Sequence, residues 1–280
     1  MAQGTLLLSP HSDDAVMSAF GILKRRLLPA PVTLLTVFTL TNYFVRYGRA
    51  RPNLRVLGHL LPRPTEVLHS LRRNAGRFGT NPLGIARKLI DMEEPYKISR
   101  VRLLEDVGFS RRMGLKFRYV ILGDSQIRRG RPIMDPGWLL TNEQDTLDAV
   151  YRAIDNLVLR LTIQVIAVNW PFGDKQHVDH RMVSECATRI AEDRGVKLLY
   201  LDDQPYSRRP LRVTKNAVGS TYAPMTVSLS TEEMKSKLRA MSLYWSQMVP
   251  EYVQAVLRPA PGSLGNAYTE TLWEPLQRSD

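Results

Sequence analysis

The sequence of 280 residues has one cysteine, Cys186, so no internal disulfide can form. Nothing in it therefore indicates an oxidising compartment. It also has no long hydrophobic run, because the longest, at 32–40, is far shorter than the roughly 20 residues of a membrane-spanning helix. Its first residues lack the basic segment of a secretory signal. We therefore expect a soluble protein located in the cytoplasm.

Acidic residues are too few to balance the basic ones. The 39 Lys and Arg outnumber the 27 Asp and Glu, which gives a formal net charge of +12. This sign favours anionic partners such as nucleic acid, an anionic membrane surface, or a phosphorylated or nucleotide-linked substrate. A basic solvated surface explains the charge equally well. The apolar content of 44% and the charged content of 24% are ordinary for a globular protein, which excludes a disordered chain, a collagen and a coiled coil.

Apolar runs and apolar stripes alternate along the chain. The short runs predict strands at 5–8, 32–39, 119–122, 164–168 and 197–201. Helical periodicity and capping signals predict helices at 15–28, 98–113, 141–161, 178–194 and 231–248. Strands that alternate with helices indicate an α/β fold whose mostly parallel sheet is flanked by helices. We predict a single domain over 1–280 that ends in a C-terminal extension at 249–280.

One segment, 41–94, interrupts this alternation after the second predicted strand. It carries ten Lys and Arg against four Asp and Glu, with four prolines and five glycines. A connection of this length is usually either functional or disordered. We interpret it as a basic lid over the edge of the sheet, and a disordered insertion is the alternative.

Three of the five histidines lie in two polar clusters. The first cluster, His-Ser-Asp-Asp at 11–14, directly follows the first predicted strand. The second, His-Val-Asp-His at 177–180, follows the loop after the fourth. In open α/β sheets, ligands bind outside the carboxyl ends of the strands. The topology alone therefore places both clusters at the same edge of the sheet.

The two clusters together carry the ligand types of zinc or a similar divalent ion, which are imidazole and carboxylate. The i, i+3 spacing brings His177 and His180 close together at a helix start, so one can bind metal while the other faces the substrate. Adjacent Asp13 and Asp14 point in different directions, so one can ligate while the other takes a proton. This is the chemistry of metal-assisted hydrolysis. Each cluster also fits a simple helix cap.

Five motifs in register over 6–247 resemble those of the PIG-L/LmbE-like deacetylases. The segment SPHSDDAVMS at 9–18 is similar to the HxDD signature of that family, and HVDH at 177–180 is similar to its HPDH element. The other three motifs are RLLE at 102–105, YLDDQPY at 200–206, and a helix segment that begins KLRA at 237 and ends YWSQ at 247. Ser12 and Ala15 replace the usual Pro and Glu of the signature, and neither stands at a ligand position.

The resemblance implies a zinc-dependent N-deacetylase with a Rossmann-like fold, acting on an N-acetylated amino sugar. By motif position, His11, Asp14 and His180 would be the metal ligands. Asp13 would be the general base for a metal-bound water as nucleophile. His177 would stabilise the oxyanion or protonate the leaving amine. The form of the first motif favours a glycosylated natural product or a sugar intermediate as substrate, and the basic segment favours an anionic one.

Three further residues are candidates for substrate binding. Arg102, in the RLLE motif, would hold a substrate hydroxyl or phosphate, or else pair with Glu105 on its own helix. Asp174 precedes the second histidine cluster and would line the pocket or be exposed. Trp170 would stack on a sugar ring or pack in the core.

Two other functions remain open at this point. The same metal site serves a deacylase or esterase that acts on other acyl groups, because pocket depth is not visible in the sequence. The charge of +12 also fits a protein that binds nucleic acid or an anionic membrane surface. No RRM, KH or zinc-finger signature is present, so we expect a small-molecule partner and no nucleic acid.

Overall fold

The structure is a computed structural model. It describes residues 4–41, 94–125, 128, 144–170, 177–204, 214–215, 220–244, 246–248, 250–257 and 268–276. The interior of the predicted basic lid and the predicted substrate residue Asp174 lie outside the described residues. Both therefore stay predictions.

A single sheet organises the described residues, and its eight strands run in the order β3-β2-β1-β4-β5-β8-β7-β6. The strands are β1 Gly4–Ser9, β2 Val32–Thr36, β3 Lys116–Tyr119, β4 Ile163–Asn169, β5 Lys197–Leu201, β6 Thr214–Lys215, β7 Thr221–Leu229 and β8 Tyr268–Pro275. The first five pair in parallel and the last three pair antiparallel. The predicted α/β fold with a mostly parallel sheet is confirmed.

Helices cover both faces of this sheet. They are α1 Asp14–Lys24, α2 Glu94–Met113, α3 Gln144–Arg160, α4 Val178–Arg194, α5 Thr231–Met241 and α6 Pro250–Leu257. The structure confirms the sequence signals for two helix ends. Helix α4 ends at Gly195, whose φ of 62° is the left-handed conformation that glycine adopts without strain. Helix α5 begins with a capping box, in which the Ser230 hydroxyl accepts from the Glu233 amide. No helix within the described ranges is both long and apolar enough to cross a lipid bilayer.

The sheet separates two hydrophobic cores. Successive side chains of a strand point to opposite faces. Leu7 of β1 therefore packs with α1, α2 and α5, whereas Leu6 and Leu8 pack with α3 and α4. Burial on both faces explains why the four inner parallel strands, β1, β2, β4 and β5, appear in the sequence as continuous apolar runs.

Three sequence predictions are corrected by the structure. Strand β3 lies at Lys116–Tyr119 and not at 119–122, because it is a mostly exposed edge strand without an apolar run. Helix α5 ends at Met241 and not at 248, and Pro250 begins a separate helix. Within the predicted C-terminal extension, strand β8 lies inside the sheet, between β5 and β7.

The strand order reverses between the neighbouring strands β1 and β4. From β1 the chain continues to β2 on one side of the pair, and from β4 it continues to β5 on the other side. Such a switch point opens a crevice at the carboxyl ends of the strands. Both histidine clusters follow these two strands. The fold therefore brings them to one crevice, as the topology argument predicts.

A buried ion pair joins β8 to the helix that carries the first cluster. The ammonium of Lys237 donates to a Glu270 carboxylate oxygen at 2.8 Å and also to the carbonyl oxygen of Met17. The other Glu270 oxygen accepts from the amides of Gly21 and Ile22, at 2.7 and 3.2 Å. Both charged side chains are at most 1% exposed. Strand β8 and helix α5 are thereby tied to the middle of α1.

We expect Lys237→Met to lower the free energy of unfolding by about 3–5 kcal/mol, because it leaves the Glu270 carboxylate buried without its counter-ion. Urea denaturation monitored by circular dichroism measures the change. Lys235→Met is the matched control on the same helix, since the Lys235–Glu232 pair is exposed. Its effect should stay below about 1 kcal/mol. Equal effects of the two substitutions would contradict a structural role of the buried pair.

Candidate metal centre

The first cluster lies in the tight turn between β1 and α1. The Ser9 hydroxyl donates to the carbonyl oxygen of His11 at 2.6 Å and accepts from the amide of Ala15 at 3.2 Å. Asp13 stands at the N-cap of α1, and Asp14 is its first residue. The His11 amide donates to Asp14 Oδ2 at 2.7 Å. These bonds fix the turn so that the His11 and Asp14 side chains converge.

The second cluster lies at the start of α4. His177 is the N-cap residue, with extended backbone, and His180 lies in the first turn. Both side chains are buried, at 4% and 0% exposure. The end of β1 and the start of α4 therefore present three imidazoles to one another. The ring centroid of His177 lies 4.7 Å from that of His11 and 4.7 Å from that of His180.

Three potential ligand atoms form a nearly equilateral triangle. His11 Nδ1 lies 3.2 Å from His180 Nε2. Asp14 Oδ2 lies 3.5 Å from the first of these atoms and 3.3 Å from the second. In a tetrahedral site with metal–ligand bonds of about 2.0–2.1 Å, neighbouring ligand atoms are separated by about 3.3–3.4 Å. The triangle therefore has the dimensions of one face of a tetrahedral metal site.

Each imidazole of this triangle has a carboxylate behind it. His180 Nδ1 donates to both oxygens of Asp203 at 2.8 Å, and His11 Nε2 donates to Asp179 Oδ2 at 3.0 Å. These bonds fix the orientation of each ring, so that its other nitrogen is directed at the triangle. Metal-binding histidines in proteins are oriented in the same way.

The electrostatics of the cluster favour a positive charge at its centre. Burial lowers the pKa of His11, but the carboxylates of Asp14 and Asp179 outweigh it and raise that pKa to about 10. Burial opposes charge on His180 as well, and Asp14 and Asp203 raise its pKa. The Asp14 pKa is held below its usual value by the two imidazoles in spite of burial. The donor set and its charge therefore fit a divalent metal.

The carboxyl of Asp13 has a different environment from that of Asp14. Burial and the negative charge of Asp14 raise the pKa of Asp13 to about 6, although the charges of Arg102 and His11 act in the opposite direction. A carboxyl with a pKa near neutrality both accepts and returns a proton readily. The structure thus gives the two adjacent aspartates different properties, as the sequence argument expects.

The imidazole of His177 is neutral. Burial is the largest cause of the decrease of its pKa to well below the usual value, followed by the positive charges of His11 and His180. A neutral imidazole carries one N–H donor and one lone pair. Beside the triangle, it can donate a hydrogen bond without adding charge.

Arg102 is buried in α2 and lies near Asp13. Burial raises the pKa of Asp13 to about 6 and that of Glu105 to about 7, and the positive charge of Arg102 acts against both increases. The Glu105 carboxylate itself accepts from the Ser246 amide at 2.9 Å, from the Ser246 hydroxyl at 2.7 Å and from the Gln247 side-chain amide at 3.3 Å. Arg102 is therefore brought to the site, whereas Glu105 joins α2 to the turn after α5.

Trp170 occupies the aromatic core and is 1% exposed. Its ring packs against Tyr200, Tyr222 and Trp273, with centroid distances of 4.3, 5.3 and 5.2 Å. This geometry favours the packing alternative over stacking on a sugar. The role of Asp174 is not described by the structure and stays a prediction.

Asp203 and Arg128 also belong to the centre, and neither is among the predicted site residues. Asp203, at the end of β5, orients His180, and the rule that functional groups follow parallel strands would have found it. Arg128 donates to Asp179 Oδ1 at 2.8 Å. No local pattern identifies it, because it stands among several arginines in a basic stretch.

We expect added Zn²⁺ to raise the melting temperature of the chain, because a ligand that binds only the folded state stabilises it by about 2.7 kcal/mol at a hundredfold excess over Kd. His180→Ala should abolish this increase, since it removes one corner of the triangle. Glu185→Gln is the matched control, an exposed substitution on the same helix. An unchanged response of His180→Ala to zinc would contradict the proposed ligand set.

The raised pKa of His11 predicts that metal and proton compete. The proton on His11 stabilises the metal-free fold fully below pH 6.5, and this contribution is lost as the pH rises through about 10. Metal binding at pH 8 should therefore release a proton, and metal affinity should increase with pH up to about pH 10. Isothermal titration in buffers with different ionisation enthalpies counts the protons. Binding without proton release would contradict the charge state described above.

Comparison with known proteins finds one sequence relative and several solved structures of similar fold. No protein-family model matches the sequence. The 2'-N-acetylparomamine deacetylase of Streptomyces fradiae is 25% identical over 97% of this chain and 89% of its own length.

Two solved structures have the same fold. The zinc-inhibited form of teicoplanin deacetylase superposes with a TM-score of 0.58 at 19% identity, over 99% of this chain and 100% of its own. The N,N'-diacetylchitobiose deacetylase of Pyrococcus horikoshii superposes with a TM-score of 0.55 at 13% identity, over 98% and 84%. The chain thus shares its fold with deacetylases and has a deacetylase as its sequence relative, in agreement with the PIG-L/LmbE-like family that its motifs indicate.

Proposed function

We propose that this chain is a zinc-dependent N-deacetylase that releases acetate and a free amine from an N-acetylated amino sugar. The observation that carries the proposal is the triangle of His11 Nδ1, Asp14 Oδ2 and His180 Nε2, whose edges of 3.2–3.5 Å fit three ligands of a tetrahedral metal. Such a set leaves a position open for water and substrate, as catalytic zinc sites do. The sequence relative supports the reaction, and the zinc-inhibited form of teicoplanin deacetylase is an example of zinc acting on a protein of this fold.

A bound metal supplies a water of lowered pKa and polarises the acetyl carbonyl. Asp13 is the general base in this proposal, because its carboxyl is buried beside the ligands and its pKa lies at about 6. It accepts a proton from the attacking water. When the C–N bond breaks, the same carboxyl returns that proton to the leaving amine nitrogen, so a single group serves both steps.

His177 donates a hydrogen bond to the developing oxyanion. Its neutral imidazole lies 4.7 Å, centroid to centroid, from each of the two proposed ligand histidines, which supports this role. A donor that is already in place stabilises the negative charge of the tetrahedral intermediate without reorganisation. Arg102 binds a polar group of the substrate in this proposal, since it is near enough to Asp13 for its charge to act on that carboxyl.

The substrate class follows from the relatives. The Streptomyces relative acts on an aminoglycoside precursor by its name, and the structural neighbours act on a glycopeptide and on diacetylchitobiose. A glycosylated natural product or a free sugar intermediate is therefore the proposed substrate. The basic segment 41–94 supports a phosphorylated or nucleotide-linked form, and a cytoplasmic location stays a prediction.

The proposal is tested by acetate release from a panel of N-acetylated amino sugars that contains N-acetylated paromamine, N-acetylglucosamine and its phosphorylated and nucleotide-linked forms. Zinc-loaded protein should deacetylate at least one of them, and removal of the metal with a chelator should stop the reaction. Acetate release that survives chelation would contradict a metal-dependent reaction. Cleavage of esters or longer acyl amides in preference to acetyl amides would instead favour a general deacylase.

Asp13→Asn should lower kcat by about 10²–10⁴-fold and leave zinc affinity within a factor of a few, because it removes the base and not a ligand. Asp145→Asn, an exposed substitution on α3, is the control and should leave kcat unchanged. In the native chain, kcat/KM should fall on the acid side, with a limb at or below the Asp13 pKa of about 6, since the metal charge lowers that pKa further. A kcat of Asp13→Asn equal to that of Asp145→Asn would exclude Asp13 as the base.

A further inference from the structure

The guanidinium of Arg128 is held on three sides behind the metal centre. Its Nη1 donates to the carbonyl oxygen of Gly123 at 2.6 Å, and its Nη2 donates to Asp179 Oδ1 at 2.8 Å. Its Cζ lies 4.8 Å from the centroid of the Phe38 ring, in cation–π contact. The backbone is fixed as well, since the Arg128 amide donates to the Asp124 carbonyl oxygen at 2.9 Å. The side chain is 13% exposed, so these contacts are largely shielded from water.

Asp179 connects this guanidinium to a metal ligand. The carboxylate is fully buried, and its second oxygen, Oδ2, accepts from His11 Nε2 and from the Ser125 amide, both at 3.0 Å. Arg128 thus occupies one oxygen and leaves the other to His11. With both oxygens bonded, the carboxylate plane is fixed and so is the direction in which it holds the imidazole.

Arg128 also balances negative charge in the site. Two buried carboxylates, Asp14 and Asp179, flank His11, and two like charges so close together are unfavourable in a site of low dielectric. The guanidinium next to Asp179 compensates one of them. It helps His11 to hold the pKa of Asp179 below its usual value in spite of burial, so that this carboxylate stays an acceptor for the His11 N–H.

We propose that Arg128 is a positioning residue of the metal centre: by fixing Asp179, it holds the His11 ring with Nδ1 directed at the metal. The inference rests on the ligand set of the proposed function and adds a residue of the loop after β3, which contributes none of those ligands. Groups that orient metal-binding histidines change metal affinity by about 10–100-fold when they are removed.

Arginine suits this position better than lysine. A planar guanidinium bonds a carbonyl oxygen and a carboxylate oxygen in fixed directions and offers its face to an aromatic ring. A lysine ammonium keeps the positive charge, but it has neither a planar fork of N–H donors nor a flat face that can stack on an aromatic ring. Arg128→Lys should therefore retain the charge compensation and lose most of the orientation.

Metal affinity tests the inference independently of turnover. Competition with a chromophoric chelator should show that Arg128→Ala binds Zn²⁺ about 10–100-fold more weakly than the native chain, with Arg128→Lys in between. Arg118→Ala is the matched control, because Arg118 is an exposed arginine of the neighbouring strand β3, and its Kd should equal that of the native chain. The absorption spectrum of bound Co²⁺ should change in Arg128→Ala and not in Arg118→Ala, since it reports ligand geometry directly.

A double-mutant cycle with Asp179→Asn tests the route of the effect. If Arg128 acts through Asp179, Arg128→Ala should weaken zinc binding far less in the Asp179→Asn background than in the native chain. Fully additive losses would overturn this route. Thermal melting of the metal-free variants establishes that each is folded. If Arg128→Ala is not folded, Arg128→Lys replaces it in the cycle.

The test separates this inference from the proposed function. A native chain that binds zinc, with an unchanged Kd in Arg128→Ala, overturns the positioning role and leaves the deacetylase proposal standing. A native chain that binds no divalent metal overturns both.

Discussion

The pairing of each ligand imidazole with a carboxylate on its far side is the interaction on which the rest of the site depends. Asp203 stands behind His180 and Asp179 behind His11, at hydrogen-bond distances of 2.8 and 3.0 Å. An imidazole that is free to rotate or to change its tautomer offers a poorly defined ligand, whereas a carboxylate partner fixes both. The two carboxylates come from different parts of the chain, so the parallel sheet must bring three strand ends together before the ligands have a defined geometry.

Burial makes these interactions strong and also makes them costly. The site places Asp13, Asp14, Asp179 and Asp203 with three histidines in a region that is nearly closed to water. Carboxylates at this density repel one another, and the protein balances them with imidazolium charge, with the guanidinium of Arg128 and, in our proposal, with a divalent cation. Because each charge sets the pKa of its neighbours, the residues of the centre titrate as a group. Burial, together with the negative charge of Asp14, raises the pKa of Asp13, which is the property that a proton shuttle needs.

Much of the centre was predictable because its key residues are local in sequence. His11, Asp13 and Asp14 follow one strand, and His177 and His180 begin one helix, so short motifs and the switch-point rule located them. Residues that act across the fold gave no comparable signal. The link from Arg128 to Asp179 spans 51 positions and that from Lys237 to Glu270 spans 33.

The strands show the same difference between features that a local pattern marks and features that depend on distant residues. Strands with both faces buried were located to within a few residues, because a continuous apolar run marks them. Strand β8 was missed, since the buried Glu270 interrupts its apolar character and its charge is balanced only by a lysine from another element. The predicted position of β3 was wrong for the opposite reason. An exposed edge strand needs no apolar residues, so no apolar run marks it in the sequence.

The position of β8 has a consequence for the order in which the molecule can be assembled. It is the last strand within the described residues, yet it lies between β5 and β7. A nascent chain therefore has its five parallel strands available long before the partner of β5 is synthesised, and until then β5 presents an open edge of unpaired backbone groups. Open edges of this kind are where chains associate incorrectly. Because Asp203 lies just beyond β5, the residue that orients His180 stands next to this edge, and pairing of β8 with β5 closes the sheet beside the metal centre.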